Sequence, residues 1–257
     1  KTLNTRIIDE KWRFFCVCQI ILLPLRPLKI NLFYTMKKII ISLFSLLCVL
    51  STSHAKDVGV PAQCEDVMLQ AFYWDSYRLD KYGKTIWINL LKDTAAINAN
   101  FDLVWLPPSG KSEGGTGYHQ TVYSNQNSDW GSQKKLLEFI NRMHAVNTKV
   151  VADIVINHAG GKSWCEFYTQ NFGEYGTFEP DASWIAQSDE VNFNPEAGDC
   201  KGKATGPEDG GYNMQDNYGS ARDWAHAKPE VQEMMKAYLK WMKNVIGFDG
   251  WRYDYAQ

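Results

Sequence analysis

The sequence predicts an α/β fold assembled from alternating strand and helix units. Short apolar runs rich in Val, Ile, Leu and aromatic residues alternate with longer stretches whose apolar residues recur at three- and four-residue spacing. Polar residues gather where the strand-like runs end: Tyr118 beyond the second, Asn157 and His158 after the third, Asp254 after the fourth. Parallel barrels and open doubly wound sheets both hold ligands at the C-terminal ends of their strands. Periodicity alone therefore leaves two architectures open, a doubly wound sheet and half of a (β/α)8 TIM barrel.

Val67 to Trp74 (VMLQAFYW) reads as the first strand. Thr85 to Ala99 carries Ile86, Leu90, Leu91 and Ile97 at helical spacing and reads as one helix. Phe101 to Leu106 is a second strand, stopped by Pro107 and Pro108. A glycine-rich loop follows, and Ser132 is placed to cap a helix with Leu136, Leu137, Ile140 and Met143 on one face. Lys149 to Ile156 is apolar apart from Asp153, the pattern of a strand covered on both faces of a parallel sheet. Turn-rich sequence then runs to Pro229, which suits a first helical position. Val231, Met234, Met235, Tyr238, Leu239, Met242 and Ile246 form one apolar stripe, read as core packing, and Phe248 to Tyr253 is a fourth strand.

The composition narrows the function. At 257 residues with 45% hydrophobic content, the chain has material for one large domain or two small ones. A net charge of −2, with no basic block downstream of the leader, argues against nucleic acid as a partner. No GxGxxG follows the first strand and no GxxxxGK[ST] occurs, which disfavours dinucleotide and P-loop chemistry. Residues 36–55 read as a secretory signal peptide: Met36, Lys37 and Lys38 are basic or initiating, Ile39 to Leu50 is a short apolar core, and Ser53-His54-Ala55 offers a cleavage site. Residues 1–35 precede that methionine and read as translated upstream sequence. The expectation is an exported monomer, periplasmic or extracellular, with no stable membrane anchor. Of the cysteines left after cleavage, Cys165 and Cys200 bracket one loop-rich insert and are candidates to pair, which leaves Cys64 over.

The residues themselves point to carboxylate chemistry. Arg252 and Asp254 stand two apart in GFDGWRYDYA, and on a strand that spacing turns both side chains to one side. A cation fixed beside a carboxylate keeps the carboxylate ionised. Asp153 lies inside the third strand, where a carboxylate has to be paired or hydrogen-bonded.

FDLVWLPPS, GYHQTVY, ADIVINH and GFDGWRYDYA, in this order, resemble signature regions of glycoside hydrolase family 13, the alpha-amylase family, in its plant-type branch and bacterial relatives. The likeness covers roughly residues 65–257. It implies the N-terminal half of a (β/α)8 barrel, residues 56–257, with residues 158–222 inserted as a domain B after the third strand. It also implies a retaining enzyme that cleaves internal alpha-1,4 glucosidic bonds of starch, glycogen or maltodextrins. In such enzymes two carboxyl groups act, one attacking the anomeric carbon and one protonating the leaving oxygen. The resemblance makes Asp254 the nucleophile and Arg252 the residue that orients it. It makes His158 a hydrogen-bond partner of the sugar at the cleavage point, and Tyr118 the flat face beneath that sugar. Asn157 becomes a ligand of a structural calcium ion, Ca2+, with Asp223, which stands 31 residues before Asp254, as a second. Asn213 takes a place where relatives carry a ligating Asp. The family motif around His226 continues with Asn where this chain has Ala227, so His226, like Asp216 and Trp224, is assigned to packing or hydrogen bonding in the insert.

The resemblance further implies a general-acid Glu on a fifth strand, and an Asp and a second His on a seventh. No residue after Gln257 is present to supply them, so inactivity of this polypeptide by itself is the expectation. Two other readings remain in view: a maltodextrin-active or transglycosylating enzyme of the same family, and a non-catalytic glucan-binding relic of it.

Overall fold

The computed structural model describes residues 64–208 and 221–255. The upstream segment 1–35, the signal peptide 36–55 and Asn213 lie outside them.

Four parallel strands form the central sheet: β1 (Met68–Gln70), β2 (Leu103–Leu106), β3 (Lys149–Ile154) and β4 (Gly250–Tyr253). Their spatial order is their chain order. Each strand is laid down beside its predecessor, as in a (β/α)8 barrel, whereas a doubly wound sheet reverses direction at a switch point. The sequence left these two architectures open, and the strand order chooses the barrel type.

Helices supply the connections: α1 (Ile86–Lys92) and α2 (Thr94–Asn100) between β1 and β2, α3 (Gln133–His144) between β2 and β3, and α4 (Pro229–Trp241) between β3 and β4. Val104, Leu106, Val150, Ala152 and Ile154 are buried and alternate along β2 and β3, so one face of the sheet is covered by the helices. The other face carries Trp105 on β2, Asp153 on β3 and Arg252 on β4.

Several element boundaries differ from the sequence reading. The expected helix 85–99 is two helices, because the backbone leaves the helical region at Asp93 (φ −100°, ψ 10°). The first strand is only three residues long. Its ladder ends at Ala71, whose N–H donates to the Trp105 carbonyl, and Pro107 and Pro108 end the partner strand soon after. On α3 it is Phe139, not Leu137, that joins Leu136, Ile140 and Met143 in the core, completing the i, i+3, i+4, i+7 set. The Ser132 cap forms as expected: its hydroxyl accepts from the Lys135 N–H.

Between β3 and α4 the described chain holds only short pairings. His158–Ala159 pairs antiparallel with Arg222–Asp223, and Gln170–Asn171 with Thr177–Phe178. A disulfide joins Cys165 to Cys200, with Cα atoms 5.5 Å apart, and Cys64 is free.

Candidate active site and acidic cluster

Asp153 is the centre of the site. It is fully buried on β3, and three donors converge on its carboxylate. Arg252 Nη1 lies 3.0 Å from Oδ1, and the Tyr118 hydroxyl and Trp105 Nε1 lie 2.9 and 3.1 Å from Oδ2. Burial pushes the carboxyl of Asp153 up to about 6, and Arg252 and Tyr118 pull against that rise.

The same Arg252 nitrogen is 2.6 Å from Asp254 Oδ1. Asp254 sits one residue past β4, where its N–H donates to the Ile154 carbonyl and extends the β3–β4 ladder by one step. One guanidinium therefore holds two carboxylates, one fully buried and one with about a fifth of its side chain exposed. Burial works against the charge on Arg252, but Asp153 and Asp254 outweigh it and hold the group above the ordinary arginine value. The guanidinium also stands 5.2 Å from the centre of the Trp105 ring, which fixes it from a third side. What results is a partly exposed carboxylate, held by a cation that is itself anchored.

Tyr118 and His158 complete one wall. Burial and the Asp153 carboxylate push the Tyr118 hydroxyl well up, so it stays a donor. Its ring stacks on Trp74, with centroids 5.3 Å apart and planes 20° from parallel. Trp74 is 67% exposed, so the pair presents an aromatic surface to solvent. His158 Nε2 lies 3.0 Å from the Tyr118 carbonyl, and Nδ1 lies 3.3 Å from the Asn157 amide nitrogen. A carbonyl accepts only, so Nε2 carries the proton and Nδ1 is the acceptor. Burial keeps this ring below the ordinary histidine value, consistent with neutral imidazole.

A second polar centre lies behind His158. The Asn157 amide nitrogen donates to Asp223 Oδ1 at 3.1 Å, and Asp223 faces His158 across the short antiparallel pair. Asp189, Glu190 and Asp223 each bring a carboxylate oxygen within 4.8 Å of the others. Asp189 Oδ2 accepts from the Asp223 N–H at 2.6 Å, and Arg222 reaches Asp189 at 3.3 Å and Glu190 at 3.7 Å. Arg222 is itself buried and stacks 4.2 Å from the centre of the Trp164 ring. Burial raises Asp189, and burial together with Asp189 raises Glu190 to about 7. Two buried carboxylates and the half-buried Asp223 meet beside the Arg222 guanidinium, and every candidate ligand atom among them is oxygen. That chemistry fits a hard divalent cation.

The structure thus brings Asp254, Arg252, Tyr118 and His158 into one site and sets Asn157 and Asp223 beside it. Asp189, Glu190 and Arg222 were not read from the sequence. They are two adjacent acids in a turn-rich stretch and a lone Arg 33 residues downstream, with no spacing that pairs them. Trp105 and Trp74 were read as ordinary strand residues. His226, assigned to the insert, binds the Ile156 carbonyl through Nε2 at 2.9 Å, which is a packing role.

The model of the alpha amylase catalytic domain matches residues 97–257. Alpha-amylase 3, chloroplastic, of Arabidopsis thaliana is 26% identical over 197 residues, which is 75% of this chain and 20% of the relative. Probable alpha-amylase 2 of the same plant is 29% identical over 207 residues, 78% of this chain and 44% of the relative. The chain thus spans less than half the length of either. Among solved structures, the gamma-CGTase of an alkalophilic Bacillus clarkii superposes with a TM-score of 0.52 at 16% identity, over 74% of this chain and 31% of that one. A likeness at that identity shows the fold alone.

Proposed function

Since this chain belongs to the alpha-amylase catalytic-domain family, we propose that its site contributes the nucleophile half of a retaining hydrolysis of internal alpha-1,4 glucosidic bonds in starch, glycogen or maltodextrins. The observation that carries this reading is the single Arg252 nitrogen shared by Asp153 and Asp254. Of the two carboxylates, Asp153 is sealed under three donors, so Asp254 is the one with an exposed oxygen to attack an anomeric carbon.

In the step so proposed, Asp254 forms a bond to the anomeric carbon as the bond to the leaving oxygen breaks, giving a glycosyl-enzyme ester that water then opens. Arg252 fixes the attacking carboxylate in place. The Tyr118–Trp74 aromatic pair lies under the apolar face of the sugar ring. His158 steadies the Tyr118 loop through its Nε2 proton, and the sugar-hydroxyl contact that the resemblance implies requires one of its two ring hydrogen bonds to be exchanged for substrate. The resemblance leaves protonation of the leaving oxygen to a Glu outside this sequence.

Asn157, Asp223, Asp189 and Glu190 are proposed to hold a structural calcium ion that supplies positive charge between the sheet and the insert 158–222. Asn213 is proposed as a further oxygen ligand. This reading is supported by the all-oxygen donor set and its burial. Export of the chain through residues 36–55 belongs to the same proposal.

The test uses a donor whose leaving group needs no acid. Alpha-maltotriosyl fluoride incubated with the chain is expected to release a burst of up to one equivalent of fluoride, with any slowly hydrolysed product appearing as the alpha-anomer first, because opening the ester draws on the same Glu acting as base. Asp254→Asn is expected to slow release by on the order of 10^4-fold. A beta-anomeric first product, or release untouched by Asp254→Asn, contradicts the proposal.

A further inference from the structure

Trp105 touches both charges of the Asp153–Arg252 pair. Its register partner on β3 is Val151, so Asp153, two residues on, and Arg252, opposite Asp153, share its face of the sheet. The indole Nε1 donates to Asp153 Oδ2 at 3.1 Å, and the ring centre stands 5.2 Å from the guanidinium carbon of Arg252.

The indole is itself held. The Ala71 N–H donates to the Trp105 carbonyl at 3.0 Å and ties its backbone to the end of β1. Phe72, the next residue, sets its ring edge-on against the indole, with centroids 5.4 Å apart and planes at 90°. Phe72 in turn meets Trp130 at 5.9 Å, and both of these rings are buried. A large side chain with two rotatable bonds, seated against packed aromatic rings, makes a rigid support.

The two contacts of Trp105 do different things. Asp153 Oδ2 also accepts from the Tyr118 hydroxyl, so the indole N–H is not required merely to satisfy that oxygen. A second donor on Oδ2 stops the carboxylate from turning and keeps Oδ1 facing Arg252 Nη1 at 3.0 Å. The ring face attracts the guanidinium and adds a hold that uses none of its N–H groups. Arg252 Nη1 is shared between Asp153 and Asp254, so the angle of the guanidinium decides where the Asp254 carboxylate stands.

We propose that Trp105 is a positioning residue that aims Arg252 at Asp254, holding Asp153 with its indole N–H and the guanidinium with its ring. It acts through Arg252 and not on the sugar. Its effect on rate rests on the reading of Asp254 as the attacking carboxylate, whereas its hold on Arg252 does not.

The test compares wild type with Trp105→Phe, which keeps a ring but loses the N–H, and Trp105→Leu, which loses both. The first readout is the fluoride burst from alpha-maltotriosyl fluoride. Its amplitude counts folded protein, and its rate constant reads the placement of Asp254. The rate constant is expected to fall about tenfold in Trp105→Phe and about a hundredfold in Trp105→Leu, with the half-saturating donor concentration within about twofold of wild type. A smaller amplitude with an unchanged rate constant makes Trp105 a packing residue and overturns the proposal. The second readout needs no turnover. In 15N-labelled protein the two Nη groups of Arg252 give separate signals only while the guanidinium is held against rotation. Separate signals are expected in wild type and a single averaged signal in Trp105→Leu. If wild type gives no burst, the reading of Asp254 fails, and these signals alone decide the role of Trp105. Signals averaged already in wild type, or separate in both variants, overturn the proposal whatever the burst shows.

Discussion

Asp153 and Arg252 face each other directly across the β3–β4 ladder, and Arg252 Nη1 stands 3.0 Å from Asp153 Oδ1. Registry alone makes this pair: in a parallel sheet, residues opposite each other project from the same face. The pair then presents the remaining reach of the guanidinium to Asp254, two residues on. The arrangement ties strand pairing to the placement of Asp254.

Removing the guanidinium separates structure from chemistry. Arg252→Ala leaves Asp153 buried without its cation, which costs about 3–5 kcal/mol. A urea titration is expected to show that loss. Arg252→Lys restores the charge but not the two-way geometry, so stability is expected to recover in part while fluoride release stays low. Full recovery of both by lysine would show that charge alone suffices.

Asp153 gives a pH signature. Its folded value of about 6 lies above the ordinary aspartate value of 3.8, so the folded state holds its proton more tightly than the unfolded state does. The stability contributed by that proton is fully present below about pH 4 and is lost as pH rises through 6. The stability of wild type minus that of Asp153→Asn is therefore expected to fall by roughly 2 kcal/mol between pH 4 and pH 7. Paired denaturant titrations at the two pH values measure it, and a difference that rises with pH contradicts the assignment.

How much of this was legible beforehand follows from particular residues. Asp254 and Arg252 were readable because a period of two places them on one side whatever the rest of the chain does. The Cys165–Cys200 pair was readable as a candidate because both cysteines bracket one insert, and it forms. The three donors on Asp153 were not. Trp105 lies 48 positions away on the neighbouring strand and Tyr118 35 away in a loop, and only the folded chain brings them together. The break at Asp93 was hidden because the apolar residues of α1 and α2 read through it at helical spacing. The acidic cluster was hidden for a different reason: its parts come from an irregular insert, where no periodicity links Asp189 and Glu190 to Arg222.

The cluster makes a metal prediction. Calcium at 100 times its dissociation constant is expected to raise unfolding free energy by about 2.7 kcal/mol, and a strong chelator to reverse the gain. Asp223→Asn is expected to weaken the calcium response without altering the disulfide. Thermal melting with added calcium and then chelator provides the readout, and a melting temperature indifferent to both removes calcium from the account.

The disulfide between Cys165 and Cys200 closes a loop with a sequence separation of 35. Loop-closure entropy assigns it about 4 kcal/mol. Replacing both cysteines by serine is expected to lower the denaturant midpoint accordingly, and a reductant is expected to move wild type toward the same midpoint. Equal midpoints in the two proteins before reduction would mean that the loop is held by its other contacts.

The central claim is that Asp254 is the attacking carboxylate. The direct measurement is mass spectrometry of peptides after reaction with a slow-turnover fluorinated alpha-glucosyl fluoride, which halts retaining enzymes at the glycosyl ester. The account predicts one added glycosyl group on the peptide containing Asp254, and its loss in Asp254→Asn. A glycosyl group on Asp153 or on any other carboxylate would contradict it.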